Sequence, residues 1–512
     1  MPDSLNTNTT WESIQSSKLN MSALGNRDYA YFLDDWRQLL DTVEGGEREV
    51  KERSITYLPK TSGQASNTEC GDEIYDAYKK RSIFYGYSRD TLVAMLGVMH
   101  AKSAKFQLPS SISELDKEAE HSEGWRVGLK QILREVNRNQ LTYGRLGILV
   151  DMPPNGTPTL QAMPKLLMYQ AFFILDWSTR EMPNGDIILD YVLLAEESPR
   201  EENLRTAKCD DNKIRLRVLA LDADGNYYSH TIPLDDTDGF RKNARDLEKF
   251  DLDNPPEDAI YPIANDERMS FIPFVFINVT HLRPDIEKSP LMQLSNMDIS
   301  IYRGDADWAQ AYFLQGQATA VFTGVNEQSD KFYFGAGASI QLSDPEAKAY
   351  YLEVSGDGLG EMRERQTALQ NFATLIGISL VDQHQAESGK ALDTRVGIKC
   401  APLATVAETG AKGLHQALRY ALFWKTGDMD STDLLVEPNK DFSTSTKAAK
   451  ELIDLWTAKM SGAPISMRDV HTFAKDNDFT RKDYEETLAD LSEEESTSIG
   501  MNNNNDQRSD SL

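Results

Sequence analysis

The side chains best suited to catalysis or metal binding are scattered along this chain and do not stand at motif spacing. Its seven histidines include no i, i+4 pair, and the sequence has no HExxH, CxxC or GxSxG motif. Gly389-Lys390 precedes an alanine, and His384 occupies the position of the first P-loop glycine, so that phosphate-binding motif is missing. We therefore expect no catalytic residue, no cofactor and no metal ligand.

One acidic stretch has a superficial likeness to a calcium-binding loop. Counting back from Gly225 puts Ala220 at the first ligand position and Thr231 at the twelfth. A calcium loop needs an acid at the first position and a bidentate glutamate at the twelfth. Asp224-Gly225 between two apolar runs is instead a strong signal for a β-hairpin turn. We predict a turn and no calcium site.

Other charged residues are explained better by exposed helix faces than by acid–base chemistry. Asp305 and Asp307 lie in the helical segment RGDADW. Glu361 and Arg365 stand four residues apart, which is typical of an ordinary surface pair. The polar loop 382–390 (DQHQAESGK) allows two interpretations, a floppy connector or a loop held in a cavity where it touches a polar partner. None of these residues supports catalysis.

Length and composition set the scale of the molecule. The chain has 512 residues, 40% of them hydrophobic, which allows roughly three or four domains, or one large interrupted domain. Its longest apolar runs, such as Leu92–Met99, are far shorter than the ~20 residues of a membrane helix. The N-terminus lacks a signal-peptide pattern, and Cys70, Cys209 and Cys400 are too scattered for a disulfide framework. We expect a cytosolic protein with reduced thiols and no membrane contact.

The charge balance argues against tight binding of nucleic acid over the whole surface. The 81 Asp+Glu outweigh the 54 Lys+Arg and give a formal net charge of −27, and no cluster of basic and aromatic residues stands out. DNA-binding proteins gain most of their affinity by neutralising phosphates. The composition still permits contact with DNA that passes by without being held.

The first half of the chain is predicted to form short helices followed by strands. Apolar or β-branched runs are joined through Asn184-Gly185 and again through Asp224-Gly225, which predicts two hairpins between Met168 and Pro233. The other predicted elements are helices over Tyr29–Val43, Asp72–His100 and Trp125–Val136, and strands over Leu146–Asp151 and Phe271–Val279.

Long helices and a small β unit are predicted for the second half. Ser289-Pro290 is a good helix start, and the helix can extend to about Gln315. Short β-like pieces follow it, before a second helix over Leu359–Ile376. An elongated stalk needs such an arrangement, whereas a compact enzyme core rarely does.

The remaining predicted helices have simple sequence signals. Met362, Leu369, Phe372 and Ile376 are expected to form one stripe on the second long helix. A third long helix is predicted through Thr405–Trp424, with Pro402 near its start. Two shorter helices are predicted over Thr446–Met460 and Ser466–Lys475.

The order of these segments resembles that of the portal proteins of tailed bacteriophages and prophages, in a divergent long-chain branch. The motifs are VKERSITYLP, YDAYKKRSIFYGYSRDTLVAMLGVM, LTYGRLGILVDMP, GDIILDYVLLAEE, IPFVFINV, SPLMQLSNMDISIYRGDADW, GQATAVFTG and TGAKGLHQALRYAL. Each is weak alone, but their common order extends over residues 29–492. The resemblance implies an α+β portal-type fold with an α/β wing, a long α-helical stem, a small β-containing clip inserted between the stem helices, and a helical crown.

The resemblance also implies how the chain is divided. The expected regions are a flexible N-terminus (1–25), the first part of the wing (26–272), the first stem helix (273–316), the clip (317–355), the second stem helix (356–380), a tunnel loop (381–392), a tunnel-loop helix with the second part of the wing (393–442), the crown (443–492) and a disordered acidic, Asn-rich tail (493–512).

Three sets of functional residues follow from this division. The tunnel loop, expected to contact DNA in the channel, contributes Gln383, His384, Gln385, Glu387, Ser388 and Lys390. The clip, expected to dock partner proteins, contributes Asn326, Gln328, Asp330, Lys331, Asp344, Glu346 and Lys348. The stem contributes Leu294, Met297, Tyr302, Trp308, Leu369 and Phe372.

The function implied by the resemblance is a homo-oligomeric ring, usually of twelve subunits, at one capsid vertex. DNA is packaged and ejected through such a ring. The implied partners are other copies of the chain, the terminase large subunit, head-completion or adaptor proteins, the major capsid and scaffold proteins, and double-stranded DNA that passes without sequence specificity. The expected location is the virion, with assembly in the host cytoplasm.

Charge adds a hypothesis about the channel. Twelve copies at −27 each would carry a formal charge of −324. An acidic lumen repels phosphate at short range, so that DNA can slide without sticking. Neutralising Glu387 and Lys390 should then alter packaging and leave ring assembly intact; loss of the ring in these variants would contradict the assignment of the loop.

Two other functions remain as alternatives. A capsid-associated scaffold or adaptor without a channel predicts no closed ring. An acidic metal-dependent hydrolase predicts metal-dependent turnover by a compact monomer or dimer.

Overall fold

The computed structural model describes most of the chain, which divides into two compact units, Met1–Lys440 and Asp441–Leu512. The described residues are 27–66, 69–116, 127–151, 163–197, 214–233, 251–264, 267–316, 319–324, 346, 348–352, 357–381, 389–439, 445–461, 463–464, 466–476, 480 and 482–487. The expected flexible N-terminus and acidic tail therefore lie outside the described residues.

The described part of the chain has an α+β fold, as the sequence predicts. Its helices are α1 (Arg27–Leu39), α2 (Glu47–Glu52), α3 (Ser62–Ser66), α4 (Gly71–Arg81), α5 (Tyr87–Met99), α6 (Leu129–Tyr143), α7 (Met292–Gln315), α8 (Asp357–Val381), α9 (Gly389–Thr426), α10 (Ser445–Met460) and α11 (Met467–Asp476). Its strands are β1 (Lys105–Gln107), β2 (Arg145–Asp151), β3 (Lys165–Gln170), β4 (Ile174–Glu181), β5 (Ile187–Glu197), β6 (Ile214–Leu221), β7 (Tyr227–Pro233), β8 (Ile263–Ala264), β9 (Glu267–Arg268), β10 (Phe274–Asn278), β11 (Thr319–Thr323), β12 (Lys348–Leu352) and β13 (Leu435–Glu437).

A three-stranded antiparallel sheet, in the order β10-β2-β3, belongs to the core of the first unit. Strand β2 is buried from Arg145 to Val150, which explains its nearly continuous apolar sequence. One face, including Ile148 and Val150, packs against Val136 of α6 and Ala417 of α9. Because helices cover this face, the strand predicted over Leu146–Asp151 is confirmed as a core strand.

Arg145 is a buried cation at the start of β2. Its guanidinium carbon lies 4.3 Å from the ring centre of Trp177 and 4.8 Å from that of Phe276. Complete burial lowers the pKa of Arg145 to about 9, because the charged form loses its hydration. The two aromatic faces offset part of that loss. Nothing in the apolar strand signal of the sequence indicated this residue.

Both predicted hairpins are confirmed within a four-stranded antiparallel sheet, in the order β4-β5-β6-β7. Gly185 turns β4 into β5 at φ +84°, and Gly225 turns β6 into β7 at φ +80°. Glycine suits these positions because left-handed backbone costs it little. A carboxylate oxygen of Asp222 accepts a hydrogen bond from the Asn226 amide at 2.8 Å. The calcium-like stretch is therefore a turn.

The chain returns to the first unit after α8 and completes it. The indole Nε1 of Trp424 in α9 donates to the carbonyl of Val150 in β2 at 3.2 Å. Strand β13 then pairs antiparallel with β1, with Lys105 opposite Glu437. Leu434 joins the same apolar cluster as Leu129 of α6. Residues after 389 thus complete a core that residues before 151 begin.

Several predicted helices have different bounds in the structure, and the one predicted over Trp125–Val136 extends from Leu129 to Tyr143. The single helix expected over Asp72–His100 is two, α4 and α5, which are separated at Gly86 with φ +69°. The helix expected through Thr405–Trp424 already begins at Gly389, so Pro402 lies inside it and not near its start. The break between α4 and α5 is fixed by Asp298, which is distant in sequence and whose carboxylate accepts a hydrogen bond at the start of α5.

The second unit contains α10 and α11, which confirm the helices predicted over Thr446–Met460 and Ser466–Lys475 to within a residue or so. Ser466 begins α11 with a reciprocal cap. Its hydroxyl oxygen accepts from the Asp469 amide at 3.1 Å, and Asp469 accepts from the Ser466 amide at 2.9 Å. Such caps stabilise a helix start by about 1 kcal/mol. The role of this unit as a crown stays a prediction.

Candidate assembly surface

Helices α7 and α8 pack together as a helical hairpin, which strands β11 and β12 join at its tip. Helix α7 has 24 residues and is roughly 36 Å long. Leu294 and Ile301 of α7 pack with Ala373 of α8 in a small apolar cluster. The strands pair antiparallel, from Thr319 opposite Leu352 to Thr323 opposite Lys348. The β unit predicted between two long helices is therefore confirmed.

A glycine and a glutamine meet where the two helices pack together. The side-chain amide of Gln366 donates to the carbonyl of Ile301 at 2.8 Å. A Cβ atom at Gly304 would lie 2.5 Å from the Gln366 side-chain oxygen, closer than real Cβ contacts allow. Glycine at this position thus leaves room for the Gln366 side chain in its present conformation.

The predicted stem residues divide into buried and exposed positions within the chain. Leu294 and Tyr302 are buried. Met297 and Leu369 are partly buried against the α7–α8 cluster. Phe372 is 51% exposed. Of the stripe predicted on α8, Leu369 and Ile376 pack against this cluster, whereas Met362 and Phe372 remain exposed within the chain.

Asp298 of α7 binds the start of α5. Its carboxylate accepts the Tyr87 amide at 2.9 Å, and both the Ser88 amide, at 2.9 Å, and the Ser88 hydroxyl, at 2.5 Å. Burial raises the pKa of Asp298 to about 6, although these three hydrogen bonds oppose the rise. Asp298 is therefore a cap supplied to one helix by another, and no acid–base role is needed to explain it.

Asp305 corrects an expectation from the sequence. It was expected on an exposed helix face, yet it is buried and accepts the Ile83 amide at 2.7 Å and the Tyr85 hydroxyl at 3.4 Å. Asp307 is exposed as expected, and it accepts the Tyr78 hydroxyl at 2.5 Å. Burial raises the pKa of Asp305. The connector between α4 and α5 therefore holds α7 by donating hydrogen bonds to the carboxylate of Asp305.

Sequence reasoning missed Asp298, although the sequence carries a usable signal. Asp298 and Asp305 stand seven residues apart, in phase with the buried Leu294 and Ile301. Acids at the helical spacing of a core face are either unpaired and costly or satisfied by a distant donor. The structure supplies the donors.

Arg81 fixes the outer part of α7 from a second side. Its guanidinium donates to the side-chain oxygen of Gln310 and lies 3.7 Å from the ring centre of Phe313. Trp308 stacks on Tyr312 with 5.5 Å between ring centres. Despite these contacts, none of the described residues 307–316 is buried. The last turns of α7 thus project from the core of the first unit.

The helical hairpin exposes large apolar side chains that a single chain leaves uncovered. We call these residues the hairpin apolar surface: Tyr312, Phe313, Leu314, Met362, Phe372 and Leu375. Tyr312 is 62% exposed and Leu375 is 60% exposed. Exposed large apolar residues can mark sites of protein–protein contact, and here they lie at two places, residues 312–314 near the tip of the hairpin and Phe372 with Leu375 nearer its base. This surface is the strongest candidate for contact with another copy.

The other predicted site residues are mostly outside the described residues. This applies to Asn326, Gln328, Asp330, Lys331, Asp344, Gln383, His384, Gln385, Glu387 and Ser388. Glu346 is exposed, and Lys348 begins β12 as an exposed residue. Val381 ends α8 and Lys390 lies in the first turn of α9, so both ends of the predicted tunnel loop are helical.

Two features of the described residues bear on alternative sites. No group of three His, Cys, Asp or Glu residues in the described part is arranged to hold a metal ion. No helix among the described residues is long and apolar enough to cross a membrane.

Comparison with known protein families yields one match. Residues 290–425 match DUF4055, a domain of unknown function that is found in phage-related proteins. The match begins just before α7 and ends at the last turn of α9, so it covers the helical hairpin and the helix that returns to the core. No curated protein matches the chain.

Proposed function

We propose that this chain is a phage-type portal protein, a subunit of a homo-oligomeric ring at one capsid vertex. The ring is the channel for DNA packaging and ejection, and its tip docks the terminase large subunit and then head-completion or adaptor proteins. In this proposal the chain carries out no catalysis. The implied location is the virion vertex.

The observation that carries the proposal is the helical hairpin with its uncovered apolar residues. The outer turns of α7 and the start of α8 project from the core, and they end in the β11–β12 pair. Phe372 and Leu375 on α8 are more than half exposed. Copies placed side by side around an axis would bury such residues on each neighbour. A head-to-tail contact of this kind closes into a ring when the rotation between copies divides a full turn.

Three further features support the same function. The DUF4055 match covers the hairpin, and this domain is found in phage-related proteins. The net charge of −27 per chain suits a channel that DNA traverses without being gripped. Glu346 and Lys348, exposed at the hairpin tip, are polar residues suited to contact with partner proteins.

Native mass spectrometry and negative-stain imaging of the purified full chain test the proposal. We expect an assembly near the mass of twelve 57.6 kDa chains, about 691 kDa, with a central hole. Rings of eleven or thirteen copies would support it equally. A species that stays monomeric at high concentration would contradict it. An assembly that forms no closed ring would favour the scaffold or adaptor, and metal-dependent turnover would favour the hydrolase.

A further inference from the structure

A second uncovered apolar patch lies beside the hairpin, on the connector between α4 and α5. Ile83 is 50% exposed and Tyr85 is 43% exposed. Both residues are held in place, because the Ile83 amide and the Tyr85 hydroxyl donate to the Asp305 carboxylate. A side-chain hydrogen bond also links Tyr85 to Gln370 of α8. We call Ile83 and Tyr85 the connector patch, a preformed apolar surface whose ordering costs a partner little.

Phe372 and Leu375 lie on the other side of α8 from the connector patch. Gln370 marks the side of α8 that meets Tyr85. Successive residues are about 100° apart around an α-helix, so Phe372 and Leu375 are roughly 200° and 140° around from Gln370. Both are also within five residues of Gln370, which is about 8 Å along the helix axis. The two patches therefore face in different directions at nearly the same height on the hairpin.

Acids continue the α8 patch toward the tip of the hairpin. Glu361 and Glu364 are exposed and precede Phe372 and Leu375, respectively, by eleven residues. Eleven residues are close to three helical turns, so each acid is in line with its apolar residue. Arg365 is exposed on the same side and leaves an excess of one negative charge. Neither acid forms an ion pair with any residue that the structure describes.

Cations continue the connector patch toward the tip in the same way. Lys80 and Arg81 end α4 immediately before the connector, and Lys80, which is exposed, has no ion pair within the described part of the chain. Arg81 donates to Gln310 near the end of α7, so this end of α4 lies at the level of the outer hairpin. Asp307 accepts the Tyr78 hydroxyl beside them, which leaves an excess of one positive charge. Each patch thus has charged residues on its tip side, and the two excess charges have opposite signs.

These observations favour a second copy of this chain as the occupant of the connector patch. A head-to-tail contact needs two different surfaces on each copy, at matching heights and with complementary charge. The connector patch and the pair of Phe372 and Leu375 meet these conditions. A contact of either surface with itself would leave the other surface uncovered.

We propose that Phe372 and Leu375 of one copy dock on the connector patch of the next copy, with the two acids of α8 opposite the cations that end α4. This assignment rests on the proposed ring, and it adds which two surfaces meet and the direction in which the contact runs. Every copy offers one surface to the next copy and receives the previous copy on the other surface.

Cysteine cross-linking of the assembled full chain with a short bis-maleimide tests which residues meet. Ile83→Cys and Leu375→Cys are placed together in one chain. Because the two cysteines then lie across every contact, we expect a covalent ladder on denaturing gels that reaches the copy number of the ring. Either substitution alone should leave the chain as monomeric on the gel as the wild type, which has three native cysteines.

Ile187→Cys with Leu375→Cys is the matched control, because Ile187 is 72% exposed and lies outside the hairpin and the connector. An equal ladder from this control, or cross-linked dimers from Leu375→Cys alone, would overturn the docking. Absence of the ladder while native mass spectrometry shows a ring would overturn the docking and leave the proposed function standing. A wild-type chain that stays monomeric would overturn both.

Variants that remove one surface give a second measurement, which does not depend on cross-linking. Ile83→Ser with Tyr85→Ser should raise the concentration needed for assembly about tenfold or more, as loss of Phe372 and Leu375 does. A mixture of the two double variants should form pairs and no ring, because each variant keeps the surface that the other lacks. Ile83→Ser alone leaves the hydrogen bonds of Tyr85 in place and should act in the same direction. Assembly of these connector variants at wild-type concentration, with circular dichroism unchanged, would overturn the docking.

Discussion

Asp298 and Asp305 show how carboxylates can be essential without catalysing anything. Asp305 accepts the amide of Ile83, which lies between α4 and α5, and Asp298 accepts the amides of Tyr87 and Ser88 at the start of α5, so each joins parts of the chain that are more than 200 residues apart. Buried hydrogen-bonded carboxylates of this kind are costly to leave unpaired. At the scale of single residues, the acids of α7 therefore act as structural ligands for amides.

The raised pKa of Asp298 predicts a pH-dependent contribution to stability. Burial raises its pKa from the ordinary 3.8 to about 6, so the folded chain binds the proton more tightly than the unfolded chain. The stability from this group is fully present below about pH 3.8 and is lost as the pH rises through about 6. We expect the unfolding free energy of the wild type, relative to Asp298→Asn, to fall by on the order of 2–3 kcal/mol between pH 4 and 7.

Urea unfolding of both proteins over this pH range measures the difference directly. Taking the difference between wild type and variant cancels the other titrating groups. A difference that stays constant with pH would show that Asp298 keeps its ordinary proton affinity in the folded chain.

Gly144 and Gly185 allow steric crowding to be separated from backbone strain. Gly144 ends α6 at φ +82°, and a Cβ there would lie 2.3 Å from the carbonyl oxygen of Glu287. Gly185 has a similar φ of +84° with no atom within 4 Å of such a Cβ. We expect Gly144→Ala to lower the unfolding free energy by at least about 2 kcal/mol more than Gly185→Ala. Urea midpoints measure this, and equal losses would contradict the crowding argument.

Single-residue features were only partly predictable from the sequence. The turn glycines, Gly185 and Gly225, follow from local turn chemistry. The burial of Arg145 and the amide donor that satisfies Asp305 both depend on distant elements, and local pattern does not encode these. A polar residue in a helical or strand pattern is therefore read as exposed until its tertiary partners are known.

At the scale of elements, the hairpin of α7 and α8 combines a fixed inner part with an uncovered outer part. The inner part is held by the Leu294 cluster and by the Asp298 cap. The outer part of α7 has contacts from Arg81 but is not enclosed. Such a rod offers a neighbour a rigid face, which lowers the entropy cost of association.

The hairpin apolar surface predicts an assembly-specific variant. We expect Phe372→Ser with Leu375→Ser to raise the concentration needed for assembly at least about tenfold, because two partly exposed apolar side chains would no longer be buried on a neighbour. The unfolding midpoint of the dissociated chain should change little, since both residues are exposed. Mass photometry over a dilution series measures the assembly.

Val93→Ser with Ile187→Ser is the matched control. These two residues are 62% and 72% exposed and lie outside the hairpin. The control should assemble as the wild type does. If both double variants weaken assembly equally, the hairpin apolar surface is not part of the interface.

Element existence was more predictable than element bounds. The long helices around a β unit and the paired hairpins follow from periodicity and turn residues, and the structure confirms them. The division of Asp72–His100 into α4 and α5 was not predictable, because the break is fixed by a carboxylate on α7. The early start of α9 was missed because Pro402 was read as a start signal.

At the scale of the whole molecule, the order of segments along the chain differs from their order in space. The first unit is begun by residues before 151 and is closed by α9 and β13, with the hairpin inserted between them. The α+β class followed from the sequence alone. The joining of β1 to β13 did not, because three-residue strands carry almost no signal by themselves.

Two truncations test whether the closing segment is needed for the fold. A chain that ends after Lys440 keeps the whole first unit, whereas a chain that ends after Thr432 lacks β13 and Leu434, a buried member of the Ile112 cluster. We expect the shorter chain to unfold at lower urea, with a loss of at least about 2 kcal/mol. The chain that ends after Lys440 should unfold like the first unit of the full chain. Equal midpoints for both truncations would show that the closing strand is dispensable.

The pairing of Lys105 with Glu437 also has a consequence for synthesis. A ribosome that has just made the first of these residues needs on the order of 15–70 s to reach the second. For most of that interval the central sheet lacks its covering helix α9, because residues 389–426 are synthesised near the end of the interval, after the hairpin. The core of the first unit can therefore be completed only after nearly all of that unit has been synthesised.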